Sequence, residues 1–208
     1  MTGGGGVAGG GRGQGGGGAA GAVKGAPRIV TLDDALAQGL VTQEAVGPAL
    51  DAIFFEASGT KHFDSEGERA AFRERWLGRY LADDRRWFFL ALSEAGEVAG
   101  YLAGALDDPA VAPRFADVGY FQDIAALTRL YPAHLHINLA PRFRSRGWGE
   151  RLVARFAADA ARAGAPGVHV VTGRGLRNVR FYAANGFTEV GAFGWRGREL
   201  VVLGRTLG

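Results

Sequence analysis

Arg142-Phe143-Arg144-Ser145-Arg146-Gly147-Trp148-Gly149 places three arginines and two glycines between an apolar strand pattern and an amphipathic helix pattern. The first turn of a helix offers unpaired backbone N–H groups and a partial positive charge, and glycines let that backbone approach a ligand closely. Arg142, Arg144, Arg146 and Arg151 would surround such a cradle with side-chain donors, which suits a diphosphate far better than a neutral metabolite. A solvated basic start to a helix fits the same spacing. Just upstream, Leu135-His136-Ile137-Asn138-Leu139 alternates as a strand stopped by Pro141, so His134, His136 and Asn138 share one face. Both histidines titrate near neutrality and are candidate bases; hydrogen-bonded structural histidines fit equally well.

The elements that must position these groups are legible from their periods. The helix after Gly149 buries Leu152, Val153, Phe156, Ala157 and Ala160. Gly167 to Thr172 reads as a short apolar strand, Asn178 to Asn185 as a short helix closed by Gly186, and Phe187 to Phe193 with Leu200 to Leu207 as a final strand pair. Trp87 to Leu92 and Val98 to Leu106 form a hairpin around a polar turn. Before Asp84 the pattern is helical: Thr31 and Thr42 cap two helices, the second carrying Val46, Leu50, Ile53 and Phe54. Ser65-Glu66-Gly67-Glu68 forms a capping box ahead of Phe72, Trp76, Leu77 and Tyr80. Residues 107–132 form a long connection whose aromatics, Phe115, Tyr120, Phe121 and Tyr131, either shape a binding site or anchor the connection by packing.

Composition narrows the classes. The chain has 208 residues, and fourteen of its 35 glycines fall in the first 25. Residues 1–26 are therefore expected to be a disordered tail, and 27–208 one domain. With no cysteine there is no disulfide framework, thiolate metal site or cysteine nucleophile, and a cytoplasmic location is the default expectation. No stretch approaches the ~20 apolar residues of a membrane span, and no secretory signal is evident. The net charge is only +3, and all but Lys24 and Lys61 of the 24 basic residues are Arg, so overall charge does not argue for nucleic acid. The local stretch from Arg142 to Arg155, with Phe143 and Trp148, keeps a nucleic-acid-binding reading as an alternative. Gly173-Arg174-Gly175-Leu176-Arg177-Asn178 lacks the third glycine and the later acid of a dinucleotide fingerprint. His134 and His136 lack an evident third metal ligand, so no metal is expected.

Arg144-Ser145-Arg146-Gly147-Trp148-Gly149 resembles the (Gln/Arg)-x-x-Gly-x-(Gly/Ala) signature of the GNAT superfamily of acetyl-CoA-dependent N-acetyltransferases. Asn178-Val179-Arg180-Phe181-Tyr182-Ala183-Ala184-Asn185-Gly186-Phe187 is similar to that superfamily's second motif, about 30 residues on. The resemblance covers Trp87 to Leu207. Within it, Tyr131 to Leu139 is similar to bacterial relatives of the acetyltransferase-like domain appended to eukaryotic O-GlcNAcase.

The resemblance implies a single α/β domain with a mixed, mostly antiparallel sheet flanked by helices. It implies that acetyl-CoA binds where the fourth and fifth strands diverge. The backbone of Ile137 and Leu139 would pair with the pantetheine arm, and Arg144, Ser145, Arg146, Gly147, Trp148 and Gly149 would hold the pyrophosphate, with Arg151 nearby. Asn178 and Phe181 would contact the cofactor, and Tyr182 would protonate the departing thiolate. The acceptor would be a small-molecule or peptide primary amine attacking directly in a ternary complex, with neither nucleic acid nor membrane as partner, and the family habit is a homodimer. His136 is the expected base. Asn138 stands where these relatives often carry Asp and cannot act as a base, which motivates the alternative of a CoA-binding module with weak catalysis. Gly175 stands where the second motif often has its Asn, and the usual first strand is not evident near Arg28.

Overall fold

The computed structural model describes residues 27–208, so the glycine-rich tail expected over residues 1–26 lies outside the described residues. The chain begins with a strand that the sequence pattern does not reveal, β1 (Arg28–Thr31). Only Ile29 and Val30 in it are apolar, too few for an alternation to register. The strand exists because it pairs antiparallel with β2 (Phe88–Leu92), in register from Arg28 opposite Leu92 to Thr31 opposite Phe89.

Between these strands lie α1 (Leu32–Ala37), α2 (Gln43–Ala57), α3 (Glu66–Arg73), a π-helical turn (Glu74–Gly78) and α4 (Arg79–Asp83). Each cap read from the sequence is present. Thr31 Oγ1 accepts from the Asp34 N–H at 3.1 Å, Thr42 Oγ1 from Ala45 at 3.3 Å and Ser65 Oγ from Glu68 at 3.1 Å, each cap stabilising its helix by about 1 kcal/mol. The Glu68 carboxylate reaches back to the N–H of Asp64 at 2.7 Å, one residue short of a reciprocal capping box.

After β2 come β3 (Val98–Ala105), α5 (Tyr120–Asp123), α6 (Ala125–Leu130), β4 (Ala133–Leu139), α7 (Trp148–Arg162), β5 (Gly167–Gly173), α8 (Arg177–Ala184), β6 (Thr188–Trp195) and β7 (Arg198–Thr206). One seven-stranded sheet results, in the order β1-β2-β3-β4-β5-β7-β6. The β4–β5 pair is parallel and every other pair antiparallel. Both faces of its centre are covered, which is why β2 reads as an unbroken apolar run instead of an alternation. Phe89 and Ala91 point into a core with α7, built on Leu152, Val153 and Phe156. Phe88, Leu90 and Leu92 point into a second core with α2 and α4, built on Leu50, Phe54, Leu77 and Tyr80.

The long connection is folded. Phe115 and Phe121 are buried in the second core, so they anchor the segment by packing, while Tyr120 faces a cleft described below.

Candidate active site

The site begins where a ladder ends. β4 pairs with β3 along its length, from Ala105 opposite His134 to Gly100 opposite Leu139, but meets β5 only at Ala133 opposite Val168 and His134 opposite His169. From Leu135 onward β4 therefore has a strand neighbour on one side alone, and its other edge borders an open splay. Backbone groups there need partners of another kind. The Leu139 carbonyl finds one in Arg144 Nε at 3.0 Å.

The turn after β4 adopts the shape its glycine foretells. Ser145 (φ 57°) and Gly147 (φ 78°) are left-handed, and Gly147 caps α7 without any side-chain hydrogen bond. A side chain on Gly147 would be strained and would lie 3.4 Å from the Glu150 carboxylate. A left-handed turn running into the positive end of a helix is the kind of backbone that binds anions. Gly149 serves another purpose: a Cβ there would lie 2.8 Å from the Phe181 ring, so its absence lets α7 close against α8.

A cleft of about 880 Å³ follows this turn, lined by Ile137, Leu139, Arg144, Ser145, Gly147, Gly149, Asn178, Phe181 and Tyr182 among others. Its arginines are only partly those the sequence suggests. Arg144 lines it, ion-paired with Glu56 of α2, but the structure turns Arg142 outward onto Glu97 at 2.8 Å. Arg151 donates to the Pro27 carbonyl at 3.1 Å and covers the Trp148 ring, so it belongs to the β1 side of α7 and not to the cradle. Arg146 does not line the cleft, and the Trp148 side chain is buried against Phe143, which leaves only its backbone available. Arg177 and Arg180 supply the remaining positive charge from α8. Sequence reasoning missed them, although both flank Asn178 on the helix that the second motif opens.

A second cleft, of about 470 Å³, lies on the α2 side. Phe54, Phe72, Trp76 and Tyr120 supply its aromatic lining, and Ile137, Asn138, Asn178 and Tyr182 line both clefts. At that junction Asn178 exchanges hydrogen bonds with Thr172 at 2.8 and 3.0 Å, which ties α8 to β5. Asn178 and Tyr182 stand one helical turn apart on the same face of α8. Tyr182 is 6% exposed between Phe181 and Phe187, and burial pushes its pKa above the ordinary phenol value, so the hydroxyl keeps its proton at neutral pH.

His136 lines the second cleft, with its Nε2 3.2 Å from the Tyr80 hydroxyl and its ring edge-on to Trp76 and Tyr80. Burial, with like charge from His169 and Arg79 adding to it, lowers its pKa to about 4. A ring of that basicity is neutral at pH 7 and a poor proton acceptor, which weakens the expectation that His136 is the base. His134 and His169 lie deeper, rings 5.6 Å apart, each with an unpartnered buried Nε2. Asn138 donates to the Tyr101 hydroxyl at 2.8 Å. Among the described residues no three His, Cys, Asp or Glu side chains are grouped to hold a metal, and no helix is long and apolar enough to cross a membrane.

The profile of the acetyltransferase (GNAT) family matches residues 50–187, about two thirds of the chain. The chain belongs to the GNAT family of acetyltransferases. The match begins inside α2, well before Trp87, so the helical half that walls the second cleft is part of the family domain. Solved structures share this GNAT fold. The protein called SsHAT is 21% identical with a TM-score of 0.64, over 88% of this chain and all of that one. A GCN5-related N-acetyltransferase from Kribbella flavida is 19% identical with a TM-score of 0.59, over 88% and 98%. The phosphinothricin acetyltransferase of Sinorhizobium meliloti, solved with AcCoA, is 19% identical with a TM-score of 0.54, over 88% and 89%. As in the expectation for a GNAT enzyme, one α/β domain carries a mostly antiparallel sheet flanked by helices.

Proposed function

We propose that this acetyltransferase moves the acetyl group of acetyl-CoA to a primary amine, both substrates being bound together and meeting at the junction of the two clefts. The observation that carries the proposal is the placement of Tyr182 and Asn178 on both clefts, beside a strand edge that β5 leaves free. The residues fit the donor. The left-handed turn at Ser145 to Gly147, the start of α7 behind it and the guanidiniums of Arg144, Arg177 and Arg180 suit a diphosphate. The backbone edge at Ile137 and Leu139 suits the amides of an extended pantetheine arm.

Acetyl-CoA supplies an activated thioester carbonyl, so no enzyme nucleophile is needed. Tyr182 Oη holds a proton at neutral pH where a leaving thiolate requires one. Asn138 Nδ2 is taken by Tyr101, which leaves its amide oxygen to accept from an incoming amine. A cytoplasmic enzyme, homodimeric through exposed sheet edges, fits the absence of cysteine and the family habit. The finer kinship, with the acetyltransferase-like domains appended to O-GlcNAcase, rests on Tyr131 to Leu139.

Calorimetry of the purified chain with acetyl-CoA tests the donor reading. Saturable binding of one equivalent is the expected result, and no heat from a folded sample at millimolar acetyl-CoA overturns it.

A further inference from the structure

We propose that the acceptor is a weakly basic aromatic amine bearing an acidic group, of the aminobenzoate class, its ring held in the cleft beside α2 and its anionic end on Arg198. The proposal rests on the donor reading above and adds the chemistry of the second substrate.

Three observations converge on it. The walls are aromatic, with Phe54 and Phe72 on one side, Trp76 from the π-helical turn, and Tyr120 from the connection after β3. Flat rings of this kind favour edge-on and stacked contact with another ring. The only full charge among the lining residues is Arg198, at the start of β7, which makes no side-chain hydrogen bond or ion pair among the described residues. No Asp or Glu lines the cleft. The two carboxylates in the last two turns of α2 are already held, Asp51 by Arg73 at 2.7 Å and Glu56 by Arg144. A polyamine or lysine side chain would find aromatic faces and a repelling guanidinium there, whereas an anionic group would find a bidentate donor.

The third observation concerns proton removal. The nitrogen that attacks the thioester carbon must carry a free lone pair. An alkylamine as basic as lysine, pKa ~10.4, holds one in fewer than about one molecule in a thousand at pH 7, so without a base or water chain to take its proton it reacts slowly. No side chain at the junction provides a strong base. His136 is half-buried and hydrogen-bonded to Tyr80, Asn138 is an amide, and Tyr182 retains its proton. An aromatic amine delocalises its lone pair into the ring, arrives neutral, and needs no such base. Its nitrogen forms the new N–C bond while the C–S bond breaks. The thiolate takes the Tyr182 proton, and the proton lost by the acylated nitrogen restores the phenol.

The ionisable groups packed around the junction are Asp51 and Glu56 from α2, Arg73 from α3, and Arg79 and Tyr80 from α4. His136 faces it from β4 with His134 and His169 buried behind it, Tyr101 from β3, Tyr120 from α5, Arg144 from the turn, Glu150 from α7, Arg177, Arg180 and Tyr182 from α8 and Arg198 from β7. Burial keeps the three histidines neutral, and Tyr80, Tyr101, Tyr120 and Tyr182 protonated, between about pH 6 and 9.

The test measures thiol release by the full chain with acetyl-CoA and four probes: 4-aminobenzoate, aniline, spermidine and lysine amide. The expected result is 4-aminobenzoate above aniline by about tenfold in kcat/KM, as one charge-assisted contact provides, with both alkylamines at background. Its kcat/KM should stay flat between about pH 6 and 8.5, where alkylamine acceptors climb with the neutral fraction. Arg198→Ala should raise KM for 4-aminobenzoate about tenfold, leave aniline unchanged and leave acetyl-CoA binding by calorimetry intact. Preference for spermidine or lysine amide, silence of both aromatic probes, a kcat/KM rising steadily with pH, or no effect of Arg198→Ala each overturns the acceptor proposal while saturable acetyl-CoA binding leaves the donor reading standing. Absence of acetyl-CoA binding removes both.

Discussion

From Leu135 to Gly149 the first wall of the site offers main chain: a strand edge, two left-handed residues and the start of α7, which Gly147 caps without a side-chain hydrogen bond. Between Phe54 and Tyr80 the opposite wall is side chains, Phe54, Phe72 and Trp76 from three helical segments, set against His136 and Tyr120 from distant ones. On the proposed reading the first wall meets the acyl donor, whose diphosphate and amide-bearing arm stay the same whatever amine is acetylated, and backbone donors at fixed spacing suit that task with little dependence on side-chain identity. The second wall, on the same reading, has to tell one acceptor from another, and such discrimination is a matter of replaceable side chains. The four residues common to both clefts, Ile137, Asn138, Asn178 and Tyr182, are where the shared chemistry meets the particular one.

If the donor side is a matter of backbone, the most damaging change is one that the backbone cannot accommodate. Gly147→Val puts a β-branched residue at φ 78° and a Cβ against Glu150, and acetyl-CoA affinity should fall by more than about 100-fold. Circular dichroism checks that the variant is folded, and Gly147→Ala should fall between the two in a calorimetric titration. Tight binding by the folded Val variant would break the contrast. Next in size is the residue at the junction. Tyr182→Phe removes only the phenolic proton, so kcat should drop by ~10²-fold while acetyl-CoA binding stays within about twofold. Unchanged turnover would leave Tyr182 as packing between Phe181 and Phe187 and nothing more.

The same contrast explains what could be read before the structure. The glycine turn after β4 is one contiguous stretch with a strand behind it and a helix ahead, so residue types at fixed spacing expose its shape. The buried faces of α2 and α7 are local periodicities and were equally open to reading. What could not be read depends on contacts between distant parts. β1 has no pattern of its own and takes its strand form from β2. Arg151 has the right neighbourhood in sequence, but it lies on the face of α7 that turns to Pro27. Arg177 and Arg180 reach the cleft because α8 docks on Gly149, which no spacing in either segment announces. His136 has the spacing of a candidate base, yet its basicity is lowered by desolvation and by His169 and Arg79, groups more than 30 positions away in sequence.

The histidines also make the acceptor side the acid-labile one. His134, His136 and His169 have pKa values lowered from 6.5 by burial, the latter two to about 4. Below pH 6.5 the unfolded chain binds protons that the folded chain refuses, so stability present at pH 7 is lost as pH falls from 6.5 toward 4. Asp84 acts in the opposite sense: burial raises it from 3.8 to about 6, and the folded chain gains a proton as pH falls through that window, which offsets one histidine. The net effect is a loss of roughly 1.4 kcal/mol per pH unit for each uncompensated proton. Urea midpoints at pH 7 and pH 5 measure it, and His169→Phe should flatten the difference. A midpoint independent of pH would mean that the histidines are not held neutral.

The smallest expected effect lies in an ion pair that joins the two sides, Glu56 of α2 with Arg144 of the turn. Both side chains are about 40% exposed, at 43% and 42%, so solvent screens the pair and its removal should cost the fold at most about 1 kcal/mol. Its effect on binding has the other sign. Arg144 divides its guanidinium between Glu56 and the Leu139 carbonyl, two groups at the rim of the donor cleft, and an incoming diphosphate must compete with that carboxylate. Glu56→Gln removes the competing charge and leaves the shape, so acetyl-CoA should bind about two- to fivefold tighter at low salt, with the gain shrinking as salt rises. Weaker binding by this variant would mean that Glu56 holds Arg144 in its working position, and the two sides of the site would then be coupled through α2 instead of merely adjoining.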